Sequence, residues 1–181
     1  SAEEADLAVR LIHSCGMPEI AGGLEFSQGA VAAGKAALQS GATILADVEM
    51  VRHGIIRARL PAENPVRCTL HNDGVREAAS DNSTTRSAAA VDLWGDALTG
   101  AVVAIGNAPT ALYRVLELIE GGAAPPAMIA AFPVGFVGAA ESKDALIAHA
   151  PRWGVPYITL KGRRGGSALA AACINGLVGQ P

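Results

Sequence analysis

Four short apolar runs, each followed by a helical stretch, constrain this chain more than any other feature. They are residues 43–46 (TILA), 101–105 (AVVAI), 127–132 (AMIAAF) and 157–160 (YITL). A half-exposed antiparallel strand alternates apolar with polar residues, and these runs are too short and unbroken for that. In the second half the helical stretches are 110–120, one ending at about 150, and 167–177. Strand–helix–strand order implies right-handed crossovers and a parallel sheet covered on both faces. The expected fold is therefore α/β: a three-layer α/β/α arrangement with a mainly parallel sheet, in one domain spanning 1–181. Composition agrees, since half the residues are apolar but only 4% are aromatic. Cores of Ala, Val, Ile and Leu let helices lie close on a sheet.

The first half is less regular. Ser1, with Glu4 three residues on, makes a capping box for a first helix. Leu7, Leu11 and Ile12 form its apolar stripe, Gly16 ends it, and Pro18 prevents its resumption. Ser27 is expected to cap a second helix running to Gly41. Residues 66–70 read as a strand and 71–83 as a polar loop. Thr85 and Arg86 then open a helix running to about Leu98.

Several function classes lose ground on composition. A net charge of −3 gives no reason to expect nucleic acid or an anionic membrane as partner. There is no run of about 18 apolar residues to span a bilayer. Cys15, Cys68 and Cys173 are odd in number and widely spaced, with no zinc-ligand pattern, so no metal site is expected. Thiols used as small apolar residues point to a reducing, cytoplasmic setting. Ser1 is not an initiator Met and no signal peptide is visible, so the chain reads as a trimmed or truncated product.

Chemistry is expected at the carboxyl ends of the strands, where open α/β sheets bind ligands. The loops there are 46–50 (ADVEM), 106–110 (GNAPT), 133–143 (PVGFVGAAESK) and 161–167 (KGRRGGS). Small residues let a bulky ligand approach the backbone. The following helix N-termini offer amide N–H groups suited to carboxylate or phosphate. Arg86, Arg163 and Arg164 can add charged forks. Together these suit a large, flat, partly apolar ligand fringed with anionic groups.

His13 ends the first helix beside the strip Asp6–Val9–Arg10. Imidazole is the side chain that ordinarily changes charge near neutrality, and helix C-termini favour its cationic form. A lone His near a helix end is usually a surface or capping residue. His53, His71 and His149 stand in helical or polar stretches without evident partners. Asp47 and Glu49 read as a metal or acid–base pair, or as caps of the next helix. Lys161, Arg163 and Arg164 read as a binding cluster or a solvated one. GNAPT lacks the ending of a Walker loop, and neither GxGxxG nor GxSxG occurs.

Six segments in order resemble the precorrin-8X methylmutases of cobalamin biosynthesis: EEADLAVRLIHSCG, ILADVEMVRHGI, TRSAAA, VVAIGNAPTAL, PVGFVGAAESK and GRRGGSA. They span nearly all of the chain and most resemble the aerobic-pathway type. The cobalt-precorrin-8 enzymes share the same plan. The resemblance implies an isomerase that moves a methyl group from carbon 11 to carbon 12 of a contracted tetrapyrrole, giving hydrogenobyrinic acid. It implies that His13 is the catalytic proton donor and acceptor, and that no redox cofactor or metal is needed. It implies a homodimer with each site near the subunit boundary. Substrate contacts are expected from Thr85, Arg86, Asn107, Thr110, Gly135, Phe136, Gly138, Ser142, Arg163, Arg164, Gly166 and Ser167, and from the GNAPT backbone. The resemblance also implies a further N-terminal segment that contributes to binding, for which no match is expected within residues 1–181. Two rivals stand beside the enzyme: a tetrapyrrole carrier using the same cleft, and a nucleotide- or phosphate-binding α/β protein using GNAPT.

Overall fold

Alternation within the apolar runs builds the layers. In the computed structural model, residues 1–179 are described, and the last two positions of the expected domain, 180 and 181, lie outside them. Six strands form one sheet: β1 (Leu24–Phe26), β2 (Ile44–Ala46), β3 (Val66–Cys68), β4 (Val102–Ile105), β5 (Met128–Ala131) and β6 (Tyr157–Leu160). Their order is β1-β6-β5-β4-β2-β3. All neighbours are parallel except β1, which pairs antiparallel with β6, Leu24 facing Leu160.

Among the described residues eight α-helices surround the sheet: α1 (Ala2–Cys15), α2 (Ala30–Gln39), α3 (Glu49–Gly54), α4 (Val75–Asp81), α5 (Arg86–Asp92), α6 (Pro109–Glu120), α7 (Ala139–Trp153) and α8 (Ser167–Val178). Because successive strand side chains point to opposite faces, β4 sends Val102 and Ala104 to one core and Val103 and Ile105 to the other. The first core takes in residues of α1, α2, α3 and α8, and the second residues of α5, α6 and α7. The three-layer expectation holds, with a mainly parallel sheet.

Three local expectations need correction. Ser27 does not cap α2. Gly29, at φ 75°, precedes that helix, and the Ser27 hydroxyl accepts the Tyr157 N–H at 2.8 Å instead. The polar 71–83 stretch contains α4, whose Val75 and Ala79 are buried against α5. The helix opened by Arg86 stops at Asp92, and a 3-10 turn, Gly95–Leu98, follows it. Strand β1 went unread because three residues carry no periodicity.

From β2 the chain passes to β3 on one side, then crosses back to β4 on the other and continues outward through β5 and β6. The crevice between β2 and β4 is thus the switch point at which α/β folds ordinarily take a ligand. Here Asp47 fills it. This carboxylate is 3% exposed and accepts the backbone N–H groups of Gly106 (2.8 Å), Asn107 (3.0 Å) and Ala108 (2.9 Å). Burial pushes the Asp47 carboxyl above its ordinary range, and the three N–H groups offset this only in part.

Candidate active site

Helix α1 carries His13 to the outside of the layer formed by α8. Its start is the expected capping box, with the Ser1 hydroxyl accepting the Glu4 N–H at 3.2 Å. Its end is Gly16 at φ 69°, a left-handed conformation that glycine adopts without a Cβ penalty. Leu7 and Leu11 pin the inner face. Close approach to α8 depends on Gly176, where a Cβ would stand 2.4 Å from Leu7 Cδ1 and 3.2 Å from Arg10 Cδ.

His13 is exposed and lies in an open groove of about 660 Å³ with Asp6, Val9, Arg10, Ser14, Ala172, Asn175 and Gly176. Asn175 is fully engaged. Its amide bridges the Ile56 N–H and the Gly54 carbonyl, tying α3 to α8. Among the described residues, neither the His13 ring nor the Arg10 guanidinium makes an ion pair or side-chain hydrogen bond. An unpaired imidazole beside an unpaired guanidinium, with Val9 and Ala172 for apolar wall, can offer one proton and one anion contact to a ligand.

The carboxyl-edge loops are built quite differently, since they are laced to one another. Val134 N–H donates to the Asn107 carbonyl (3.3 Å), Gly135 N–H to Arg163 (3.2 Å) and Gly166 N–H to Phe132 (2.8 Å). Gly165 has to be glycine, because a Cβ there would sit 2.3 Å from the Phe132 oxygen and 2.4 Å from that of Pro133. Gly138, at φ 79°, lies against Pro109, which a Cβ would meet at 3.3 Å. Beyond this lattice the loop tip projects outward, with Phe136 85% exposed and the Arg163 guanidinium 6.0 Å from its ring centre.

The expected contact residues divide between regions. The Thr85 hydroxyl, which caps α5, meets the Thr110 hydroxyl at 2.7 Å, with Arg86 half-buried beside it. Asn107 turns an exposed side chain outward, although its N–H is held by Asp47. Gly135, Phe136, Gly138, Arg163, Arg164, Gly166 and Ser167 belong to the laced loops or open the helices behind them. Arg164 also pairs with Glu19 at 3.0 Å, and Lys161 pairs with Glu25.

Ser142 is a correction. Its side chain is fully buried and its hydroxyl bonds to the Ala139 carbonyl, so it presents nothing to a ligand. The GNAPT amides at 106–108 are another, because Asp47 already occupies them. His53 is not partnerless, lying 3.3 Å from Glu49, and His149 stacks on Trp153. The groove that holds His13 has none of the loop residues in its lining. Arg10 is absent from the expected contacts, although its place on the strip with His13, three residues before it, is legible in the sequence. The role of Asp47 had no local signal, since its partners lie some sixty positions away.

Fold and groove together define an α/β protein with an exposed acid–base group on its outer helix layer and a rim of glycine-rich loops. The chain belongs to the precorrin-8X methylmutase family, whose profile matches residues 1–180. A precorrin-8X methylmutase of Pseudomonas aeruginosa is 56% identical over 171 residues, covering 94% of this chain and 81% of that protein. One from Sinorhizobium sp. is 54% identical, covering 98% and 83%. Among solved structures, the precorrin-8x methyl mutase of Thermus thermophilus superposes with a TM-score of 0.86 at 39% identity, over 98% of this chain and 86% of that one.

Proposed function

We propose that this isomerase of cobalamin biosynthesis moves the methyl group of precorrin-8X from carbon 11 to carbon 12 by way of a proton lent by His13. The observation that carries the reading is the unpaired imidazole in an open groove of a methylmutase fold. An isomerisation leaves composition unchanged, so a donor that retakes its proton suffices. Protonating the macrocycle makes its π-system poorer in electrons and eases migration of the methyl group. The imidazole then recovers the proton from the shifted product. Positioned acid–base groups contribute about 10² to 10⁴-fold.

The acetate and propionate arms need cationic and hydroxyl partners. Arg10 stands in the His13 groove for one of them. Thr85, Arg86, Asn107, Thr110, Arg163 and Arg164 form the second group of contacts, with Gly135, Phe136, Gly138, Gly166 and Ser167 shaping the surface. A homodimer is the natural assembly. His13 rides on the α1–α8 side of the sheet, whereas Thr85 and Arg86 belong to the layer of the second core, so a ring that touches both sets would take one from each of two copies. Cys15, Cys68 and Cys173 are free thiols, in keeping with a cytoplasmic enzyme. No helix among the described residues is long and apolar enough to cross a membrane.

The nucleotide alternative loses its main support with the GNAPT amides, which Asp47 has taken. The carrier alternative is separated by one variant. His13→Ala should lower turnover of precorrin-8X by about 10² to 10⁴-fold while product affinity stays within about 1 kcal/mol. Turnover at the wild-type rate would remove His13 from the mechanism.

A further inference from the structure

Lys143 is a cation with no electrostatic reason to be where it is. Its side chain has 0% exposure, and it stands in the first turns of α7, where the helix dipole repels positive charge. No carboxylate pairs with it among the described residues. Its ammonium group instead donates to the Pro133 carbonyl at 3.1 Å and to the Arg164 carbonyl at 2.7 Å. Burial pushes this amine down to about 8, with Asp144 pulling weakly the other way. An apolar residue of similar volume would ordinarily serve stability as well as a buried ion does. Stability alone therefore gives a poor account of the lysine.

Its two acceptors are telling. Pro133 begins the loop that carries Gly135, Phe136 and Gly138, and Arg164 lies in the loop that carries Arg163 and Gly166. Main-chain bonds already join these loops at Gly135–Arg163 and Gly166–Phe132. Lys143 adds a tie from beneath, spanning both from a third element, α7. We propose that Lys143 is a positioning residue, whose ammonium group fixes the spacing of the Phe136 and Arg163–Arg164 loops and so the surface that receives the substrate's acid arms. This rests on the reading that those loops hold the substrate.

The test uses the whole enzyme with Lys143→Met and Lys143→Gln, and Arg163→Ala as a control for the loops. Met keeps the buried volume and removes both bonds, while Gln retains one donor group and preserves the test should the Met variant not fold. The expected result for Lys143→Met is a KM for precorrin-8X raised about tenfold with kcat within about twofold. Amide exchange should quicken at Gly135 and Gly166 but not at Val103 or Ile129, and Lys143→Gln should fall between. Unchanged exchange at Gly135 and Gly166 would overturn the proposal. So would faster exchange with an unchanged KM, and the control then tells which idea failed. If Arg163→Ala raises KM, the loops bind substrate and Lys143 does not position them. If neither variant does, the loop reading itself is wrong.

Discussion

The His13 groove and the carboxyl-edge rim are made of opposite materials. In the groove, three charged or chargeable side chains, Asp6, Arg10 and His13, make no ion pair or side-chain hydrogen bond among the described residues, and all stand on the outer face of a well-capped helix. At the rim the groups that join one segment to another do have them: Asp47 takes three N–H groups, and the loops bond to one another and to Lys143. Unspent polar groups are what a reaction needs, while satisfied ones hold a shape. The comparison teaches that changes in the groove should cost rate or binding with little effect on stability. Changes at the rim should cost stability as well.

The largest effect short of that of His13→Ala belongs to Asp47→Ala. It strands three N–H groups in a crevice that excludes water, with a loss of about 3 kcal/mol or more, because bonds to charged groups are the strong ones. Urea unfolding reads this directly. A midpoint unchanged from wild type would mean that the switch point is not held from within.

Gly165→Ala comes next. The new methyl must push the 161–167 loop off the Phe132 and Pro133 carbonyls, an overpacking cost of about 1–3 kcal/mol. A lower Tm together with a raised KM is expected, whereas a change in KM alone would show the rim to be softer than its bonding implies.

Lys143 sharpens the same side of the comparison through pH. Its folded-state pKa of about 8 lies below its ordinary value of 10.5. Between the two, the unfolded chain binds more protons than the native one, so stability should rise with pH across that window. The rise should be on the order of 2 kcal/mol and absent from Lys143→Met, as followed by denaturant midpoints from pH 7.5 to 10.5. Parallel curves for the two proteins would contradict it.

The smallest change tests the groove. Arg10→Met keeps the stem that packs beside Gly176 and removes only the guanidinium. Stability should stay within about 0.5 kcal/mol. KM should rise about tenfold, the worth of one charge-assisted contact. A destabilised Arg10→Met would mean that the groove, too, is structural.

What could be read from residues alone follows the same division. The four apolar runs became β2, β4, β5 and β6, because a buried parallel strand announces itself by local composition. The capping box of α1, its stop at Gly16 and the strip that holds His13 were legible, since each depends on neighbours within one or two turns. Interactions between distant segments were not. Nothing near Asp47 points to Gly106, nor anything near Ser27 to Tyr157. Helix α4 hid in a polar stretch because only Val75 and Ala79 face inward. Ser142 looked like a loop hydroxyl and proved to be the inner face of α7.

The central claim is that an imidazole on α1 meets the tetrapyrrole. A crystal of the enzyme grown with hydrogenobyrinic acid tests it most directly. The account predicts the ring over the groove of Asp6, Arg10 and His13, with an imidazole nitrogen about 3 Å from a ring atom or from one bridging water. A ring seated elsewhere on the molecule, with His13 facing bulk solvent, would contradict it.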